Sequence, residues 1–202
     1  MEVNDKSCLR GPAIASPPLL SRTWSVYNPP MPIEPGPQSD RTELPKGPED
    51  ARYLENIIEH GFLSELLEHY WFAHRRRVEV IRPDVDGGGY DLVLEANRRV
   101  RHVQLKGRYR KASGPKVVKV HSRLRDHWDP CVIWIFWDWD ETLNRVRLEY
   151  RYSSPKQRSW PDPDPPDSPV FKLRNEQHFL KDLDIALLAR QLFEPDLVPD
   201  KL

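Results

Sequence analysis

Three polar side chains at the two ends of one predicted β-hairpin could together act on a phosphate ester. Asp91 opens the stretch, and Gln104 and Lys106 close it. A carboxylate can hold a hard divalent cation such as Mg²⁺, with an amide oxygen nearby. The cation activates water and neutralises charge on the phosphate, and a lysine can orient that water or stabilise the pentavalent phosphorus. These residue types therefore fit metal-assisted hydrolysis.

The register of this hairpin decides whether the three groups meet. A turn centred between Asn97 and Arg98 pairs Asp91 directly with Gln104, and side chains alternate between the two faces of a strand. Asp91, Gln104 and Lys106 then project from the same face. The other face carries the apolar side chains of Leu92, Leu94, Val103 and Leu105. A slip of one residue would expose those side chains, so the pattern favours this pairing.

Asp91, twelve intervening residues and the triplet Gln104-Leu105-Lys106 together resemble the signature of the PD-(D/E)xK nuclease superfamily. The resemblance covers roughly residues 61–137. It implies a restriction-endonuclease-like fold, in which the aspartate begins the second core strand and the triplet lies on the third. It also implies Mg²⁺ or Mn²⁺ as cofactor, and hydrolysis of phosphodiester bonds in a nucleic acid, first of all DNA.

The same resemblance implies further site residues. A glutamate on the preceding helix often completes the site, and here Glu65 is the best match and Glu68 the second. Lys106 would act as the electrostatic and water-orienting group. His102, on the same face, either donates a hydrogen bond to a ligand or has a structural role. The metal ligands implied in this way are Glu65, Asp91, Gln104 and the backbone carbonyl of Leu105.

Gln104 departs from the superfamily pattern, because the triplet usually begins with an acidic residue. Variants with glutamine are similar and include active nucleases, although a neutral amide holds a metal more weakly. Asp84 or Asp86, in the glycine-rich loop, could supply the missing charge, and the literal Pro83-Asp84 pair is an alternative to Asp91. A structural alternative also stays open, in which Asp91 only caps a strand.

The distribution of charge points to a partner. Net charge does not, because 31 lysines and arginines balance 31 acidic residues. Residues 96–125, however, contain eleven lysines and arginines and no acidic residue, which favours nucleic acid because phosphates bind such surfaces. A solvated positive face is the alternative. The side chains expected to contact nucleic acid are Arg108, Tyr109, Arg110, Lys111, Lys116 and Lys119.

Proline marks the boundaries of the domains. Ten of the 21 prolines lie in residues 1–48 and six in 155–169. We therefore predict a flexible proline-rich arm over 1–48, one nuclease-like domain over 49–195 with a surface loop at 155–169, and a tail over 196–202. The arm could recruit a protein partner, and a homodimer would suit cleavage of both strands. A decayed site would leave a binding or interaction module, for example of a defence system.

The domain is expected to be a mixed α/β (α+β) sheet flanked by helices. Helices are predicted over 49–74, with Gly61 as a candidate break, and over 175–193. Residues 116–128 fit either a strand with a short helix or one irregular helix. Strands are predicted over 78–81, 90–95, 100–106, 131–137 and 145–152.

Cysteine content and hydropathy bound the environment. Two isolated cysteines, Cys8 and Cys131, form neither a disulfide framework nor a zinc site, and Cys131 is expected to be a buried thiol. No apolar stretch approaches the ~20 residues of a membrane span, and the N-terminus lacks the apolar core of a signal peptide. We expect a soluble, cytoplasmic protein.

Overall fold

A computed structural model describes residues 47–84 and 87–194 of the chain. The predicted arm before residue 47, the predicted tail and Asp86 lie outside the described residues. Within the described part, six strands form a mixed sheet, and two further strands pair separately. Helices flank the large sheet, so the predicted mixed α/β class is confirmed. Of the helices in these two ranges, none has the length and apolar character that a membrane span requires.

The elements follow one another as helix, three strands, a strand with a 3₁₀ turn, and then two long strands before a mixed C-terminal segment. The large sheet has the order β1-β2-β3-β5-β6-β8; β3 and β5 are parallel and the other neighbours antiparallel. Strands β4 and β7 form the small antiparallel sheet. The bounds are α1 Pro48–His74, β1 Glu79–Ile81, β2 Leu92–Ala96, β3 Arg99–Tyr109, β4 Val117–His121, a 3₁₀ helix Ser122–Asp126, β5 Pro130–Asp140, β6 Arg145–Ser153, β7 Val170–Arg174, α2 Asn175–His178, β8 Leu180–Leu183 and α3 Ile185–Phe193.

From Leu92 to the turn, the β2–β3 hairpin has the predicted register, but the ladder does not include the predicted pair of Asp91 and Gln104. Leu92 pairs with Val103, and the pairing continues without a slip to the turn. Asn97 and Arg98 have φ values of 51° and 62°, as a two-residue hairpin turn of the left-handed type requires. Asn97 suits that conformation, and its Nδ2 also donates to Glu194 Oε1 at 3.1 Å. Local alternation and turn chemistry therefore agree.

Each face of the large sheet has its own hydrophobic core. One face packs against α1 and α3, through side chains such as Leu92, Leu94 and Ile133. The other packs against the β4–β7 sheet, through Val132, Trp134 and others. Because β5 is covered on both faces, it consists of a continuous apolar run, as expected of a buried parallel strand. The described part of the chain therefore has three layers, with the large sheet in the middle.

Helix α1 is continuous, so the candidate break at Gly61 is wrong. Gly61 lies close to β6, and a Cβ there would approach Leu148 Cδ1 to 3.3 Å. The glycine thus brings helix and sheet together, at a small cost in helix propensity. Pro48 occupies the first turn, followed by Glu49 and Asp50, and both features suit a helix N-terminus.

The single helix predicted over 175–193 is also wrong. Phe179 belongs to the core beside the small sheet, whereas Leu183 and Leu188 belong to the core beside the helices. These residues therefore have helical spacing although they pack into two different cores and do not form one face of a single helix. Asp182 has a φ of 56°, which interrupts any helix. The Asp184 side chain then caps α3 by accepting the Leu187 N–H at 2.7 Å, as N-cap residues do.

A buried arginine fastens the end of α3 to the sheet. Arg101, on β3, forms an ion pair of 2.6 Å with the buried Asp129. Its Nε donates to the Leu192 carbonyl at 2.6 Å and its Nη2 to the Gln191 carbonyl at 3.2 Å. A cation at a helix C-terminus is favourable, and these carbonyls would otherwise lack helical partners. One side chain thus ties the helix, the sheet and the approach to β5 together.

Candidate active site

Asp91 lies just before β2, at the point where that strand stops covering β3. Its backbone N–H donates to the Val103 carbonyl at 2.8 Å, and its carboxylate Oδ2 accepts the Leu105 N–H at 2.6 Å. The side chain thus replaces the backbone acceptor that a longer β2 would have offered. Asp91 is exposed to solvent. The carboxylate therefore caps β3 and, at the same time, stands beside the triplet.

The triplet side chains Gln104 and Lys106 share the face predicted for them. They pair across the sheet with Val132 and Trp134, which belong to the core beside the small sheet. Gln104 is only 6% exposed, and its Oε1 accepts the His121 N–H at 3.2 Å. This oxygen, predicted as a metal ligand, instead joins β3 to β4. Lys106 is half-buried, and none of the residues described forms a hydrogen bond or ion pair with its ammonium.

Glu65 lies on the opposite face of the sheet. The Tyr150 hydroxyl donates to Glu65 Oε2 at 2.7 Å, and Tyr150 belongs to the core beside the helices. Burial and the neighbouring carboxylate raise the pKa of Tyr150, so its hydroxyl remains a donor. Glu65 is thus engaged at the core beside the helices, whereas Gln104 and Lys106 face the other core. That Glu65 and Asp91 share a metal stays a prediction.

The second helix candidate does not replace Glu65. Glu68 is exposed and accepts a hydrogen bond from the Ser64 hydroxyl at 2.9 Å, within α1. Because α1 packs against the face of the large sheet opposite to Gln104 and Lys106, Glu68 also lies on the other side of the sheet from the triplet side chains. Asp84 lies exposed at the start of the glycine-rich loop.

A stack of aromatic rings, which the sequence did not reveal, flanks the strand start at Asp91. The His102 and His127 rings stack with centroids 4.8 Å apart, and Tyr90 meets both edge-on. His102 Nδ1 lies 2.8 Å from the Trp128 carbonyl, and His127 Nε2 lies 2.9 Å from the Gly88 carbonyl. Carbonyls only accept, so both of these nitrogens carry protons. His102 is therefore held in place by backbone, which favours its structural interpretation.

The glycine-rich loop is fixed against β4 and the 3₁₀ helix. Gly89 has a φ of +73°, and a Cβ there would lie 2.9 Å from the Cβ of His121. Only glycine fits such a backbone at such a distance. His121 Nδ1 accepts the Arg123 N–H at 3.2 Å, and Arg123 Nη1 donates to the Gly87 carbonyl at 3.0 Å. The loop thereby positions Tyr90 and the start of β2.

The side chains around the triplet include few that could bind a metal ion. In residues 47–84 and 87–194, no three side chains of His, Cys, Asp or Glu are grouped so that they could hold an ion. Mg²⁺ commonly uses one or two carboxylates together with substrate phosphates and retained waters. Asp91 can be such a carboxylate. The N–H and C=O of one strand residue point to the same side, so the Leu105 carbonyl faces the side of β3 where Asp91 lies.

Arg108, which was predicted to contact nucleic acid, is engaged within the protein. Its guanidinium donates to four successive backbone carbonyls of the loop after β3, at 3.0–3.3 Å. Five donors in a rigid fork suit such a task. The carbonyls belong to Ala112, Ser113, Gly114 and Pro115.

The other predicted contact residues differ in their surroundings. Arg110 forms an ion pair with Glu149, and the Tyr109 ring packs at 4.9 Å from Trp137. These contacts occupy groups that were expected to face a ligand. The remaining members of the predicted set are exposed. They are Lys111, Lys116 and Lys119.

Comparison with known proteins finds one distant likeness to report. No family model and no curated protein matches the chain. Among solved structures, the chain is similar to D212, a nuclease from a fusselovirus, at 14% identity and a TM-score of 0.38. The match covers 77% of this chain and 99% of that one.

Proposed function

We propose that the chain is a nuclease that hydrolyses phosphodiester bonds, with DNA as the first substrate to test. The site lies beside the start of β2, at Asp91 and at Leu105 and Lys106 of β3. The observation that carries the proposal is the 2.6 Å hydrogen bond from the Leu105 N–H to the Asp91 carboxylate. It fixes an exposed carboxylate beside the backbone of Leu105, the residue that precedes Lys106.

Asp91 and the Leu105 carbonyl would hold Mg²⁺ or Mn²⁺ together with a substrate phosphate. A carboxylate offers about four acceptor positions, and the Leu105 N–H occupies one of those of Asp91. When bound, the cation supplies an activated water and neutralises phosphate charge. Lys106 stabilises the negative charge that develops on the phosphate oxygens. Hydrolysis joins the water oxygen to phosphorus and breaks the P–O bond to the leaving oxygen, which takes a proton.

Cleavage of supercoiled plasmid DNA with Mg²⁺ or Mn²⁺ tests this proposal. We expect Asp91→Asn and Lys106→Ala each to abolish cleavage. Glu65→Gln is the matched control, because it neutralises a carboxylate that the resemblance favours but that lies across the sheet. Cleavage that survives in both site variants would refute the proposal.

A second candidate is a nucleic-acid-binding module without hydrolysis. It is favoured by the engagement of the Gln104 oxygen with His121, because this removes an expected ligand. It predicts salt-dependent binding of DNA and no cleavage at any concentration of either metal. The homodimer and a protein partner for the proline-rich arm remain predictions, and light scattering of the purified chain tests the first.

A further inference from the structure

The outward face of the β4–β7 sheet combines cations from two distant parts of the sequence. Lys119 pairs directly with Lys172, and Val117 pairs with Arg174. Alternate residues of both strands are buried in the core beneath, so these cations are exposed. Lys116 extends the group at the start of β4. The β4 lysines stand out in the sequence, but the strand that pairs with them lies about fifty residues later in the chain.

This arrangement is unfavourable for the protein alone. Side chains directly opposite each other on an antiparallel pair have Cβ atoms about 4.5–5.5 Å apart, and like charges there are destabilising. Neither strand contains an acidic residue. Among the residues that the structure describes, none lies within ion-pair distance of Lys116, Lys119, Lys172 or Arg174. A polyanion across this face would relieve the repulsion.

The face is continuous with the candidate active site. Lys119 and His121 lie on one face of β4, about 6.7 Å apart at the usual rise per residue. The His121 N–H binds Gln104, and its side chain packs against Gly89, two residues before Asp91. A nucleic-acid strand lying on these cations would therefore lead towards the Asp91 carboxylate.

We propose that the outward face of β4 and β7 binds the phosphate backbone of the nucleic-acid strand that enters the site, with Lys172 and Arg174 as contacts alongside the β4 lysines. The link to cleavage rests on the proposed function, whereas binding itself does not. Backbone contacts of this kind fix position without reading sequence. The face should therefore bind strands of unrelated sequence with similar affinity.

Fluorescence anisotropy with a labelled 30-base-pair DNA duplex and its single strand, in EDTA and 50–300 mM KCl, tests the face. The prediction applies to whichever DNA, duplex or single strand, the wild type binds more tightly. For that DNA, Lys119→Ala/Lys172→Ala should reduce the magnitude of the negative slope of log K against log salt by about 1.8 for the duplex or about 1.4 for the single strand. At 0.1 M salt this corresponds to a loss of affinity of up to about 60-fold or 25-fold. The variant should melt no lower than the wild type, because a like-charge pair is removed.

The matched control is Arg52→Ala/Arg190→Ala, which removes two exposed cations from α1 and α3 on the other layer. Its affinity and salt slope should equal those of the wild type. Equal behaviour of the two double variants would overturn the proposal, as would a wild type that binds neither duplex nor single strand. Displacement of the DNA by polyglutamate at equal charge would assign the face to an acidic protein and also overturn it. If the face variant weakens binding but the wild type never cleaves, only the proposed function fails.

Discussion

Replacing Glu65 by glutamine and Tyr150 by phenylalanine, singly and together, separates a structural carboxylate from a catalytic one. The two side chains share a 2.7 Å hydrogen bond on the helix side of the sheet. The substitutions keep the size of each side chain and change only the donor or the charge. The structure predicts an effect on stability and none on cleavage.

The magnitude follows from the charge and burial of the pair. A hydrogen bond to a charged group contributes about 1.5–3 kcal/mol, and a neutral one about 0.5–1.5 kcal/mol. Glu65→Gln keeps an acceptor oxygen, so we expect a loss of about 1 kcal/mol. Tyr150→Phe removes the donor from a half-buried carboxylate, so we expect about 2 kcal/mol. The double variant should show a coupling of about 1 kcal/mol, above the usual additivity error of about 0.3–0.5 kcal/mol.

Urea unfolding of the four proteins measures the coupling, and plasmid cleavage at 25 °C measures activity on the same preparations. Glu65→Gln should retain cleavage within about two-fold, because an interaction absent from the transition state leaves kcat/KM unchanged. A loss of about 100-fold or more in cleavage, as expected when an electrostatic group of the site is removed, would refute the placement of Glu65. Additive stability changes would refute the hydrogen bond.

Three further predictions concern the framework around the site. Arg101→Ala should destabilise the domain by about 3 kcal/mol in urea unfolding, the lower end for a broken buried pair, because the Asp129 carboxylate loses Arg101 but keeps Lys156 at 2.9 Å; a loss below about 1 kcal/mol would contradict its role. Gly89→Ala should cost about 1–3 kcal/mol more than Gly114→Ala, since both have positive φ but only the former meets His121, at 2.9 Å; equal melting temperatures would be inconsistent with this packing. Burial raises the pKa of Cys131 from 9.0 to about 12. As pH rises, the thiol therefore loses its proton in the unfolded chain before it does so in the folded protein. The stability that this buried thiol contributes below pH 9 is lost between pH 9 and 12. Cys131→Ala should flatten the fall of the urea midpoint between pH 9 and 10, and an unchanged slope would argue against a buried protonated thiol.

Local patterns predicted those parts of the fold that depend on near neighbours. The hairpin register followed from alternation and from Asn97 at a left-handed turn, and β5 from an apolar run. The C-terminal segment was not predictable in this way, because Phe179 and Leu188 face different cores despite their helical spacing. A hydrophobic pattern states that a side chain is buried, but not which core receives it.

The candidate site was likewise predictable only where its residues are close in sequence. Gln104 and Lys106 alternate along one strand, so register alone placed them on one face, whereas Asp91 precedes the paired part of β2. Glu65 comes from another layer, and a helix pattern cannot tell which face of the sheet the helix covers. The engagement of Arg108 with loop carbonyls was likewise hidden, because composition does not show how a guanidinium is used.

The bond between the Leu105 N–H and the Asp91 carboxylate has a thermodynamic consequence for any ligand. Folding has already selected the orientation of this side chain, so the rotational freedom that a loose aspartate would lose on binding is spent before the ligand arrives. An asparagine can still accept the same N–H through its amide oxygen. Asp91→Asn therefore removes the negative charge while keeping the side chain in its fixed orientation. Its effect on ligand affinity then measures the contribution of the charge separately from that of the preorganised side chain.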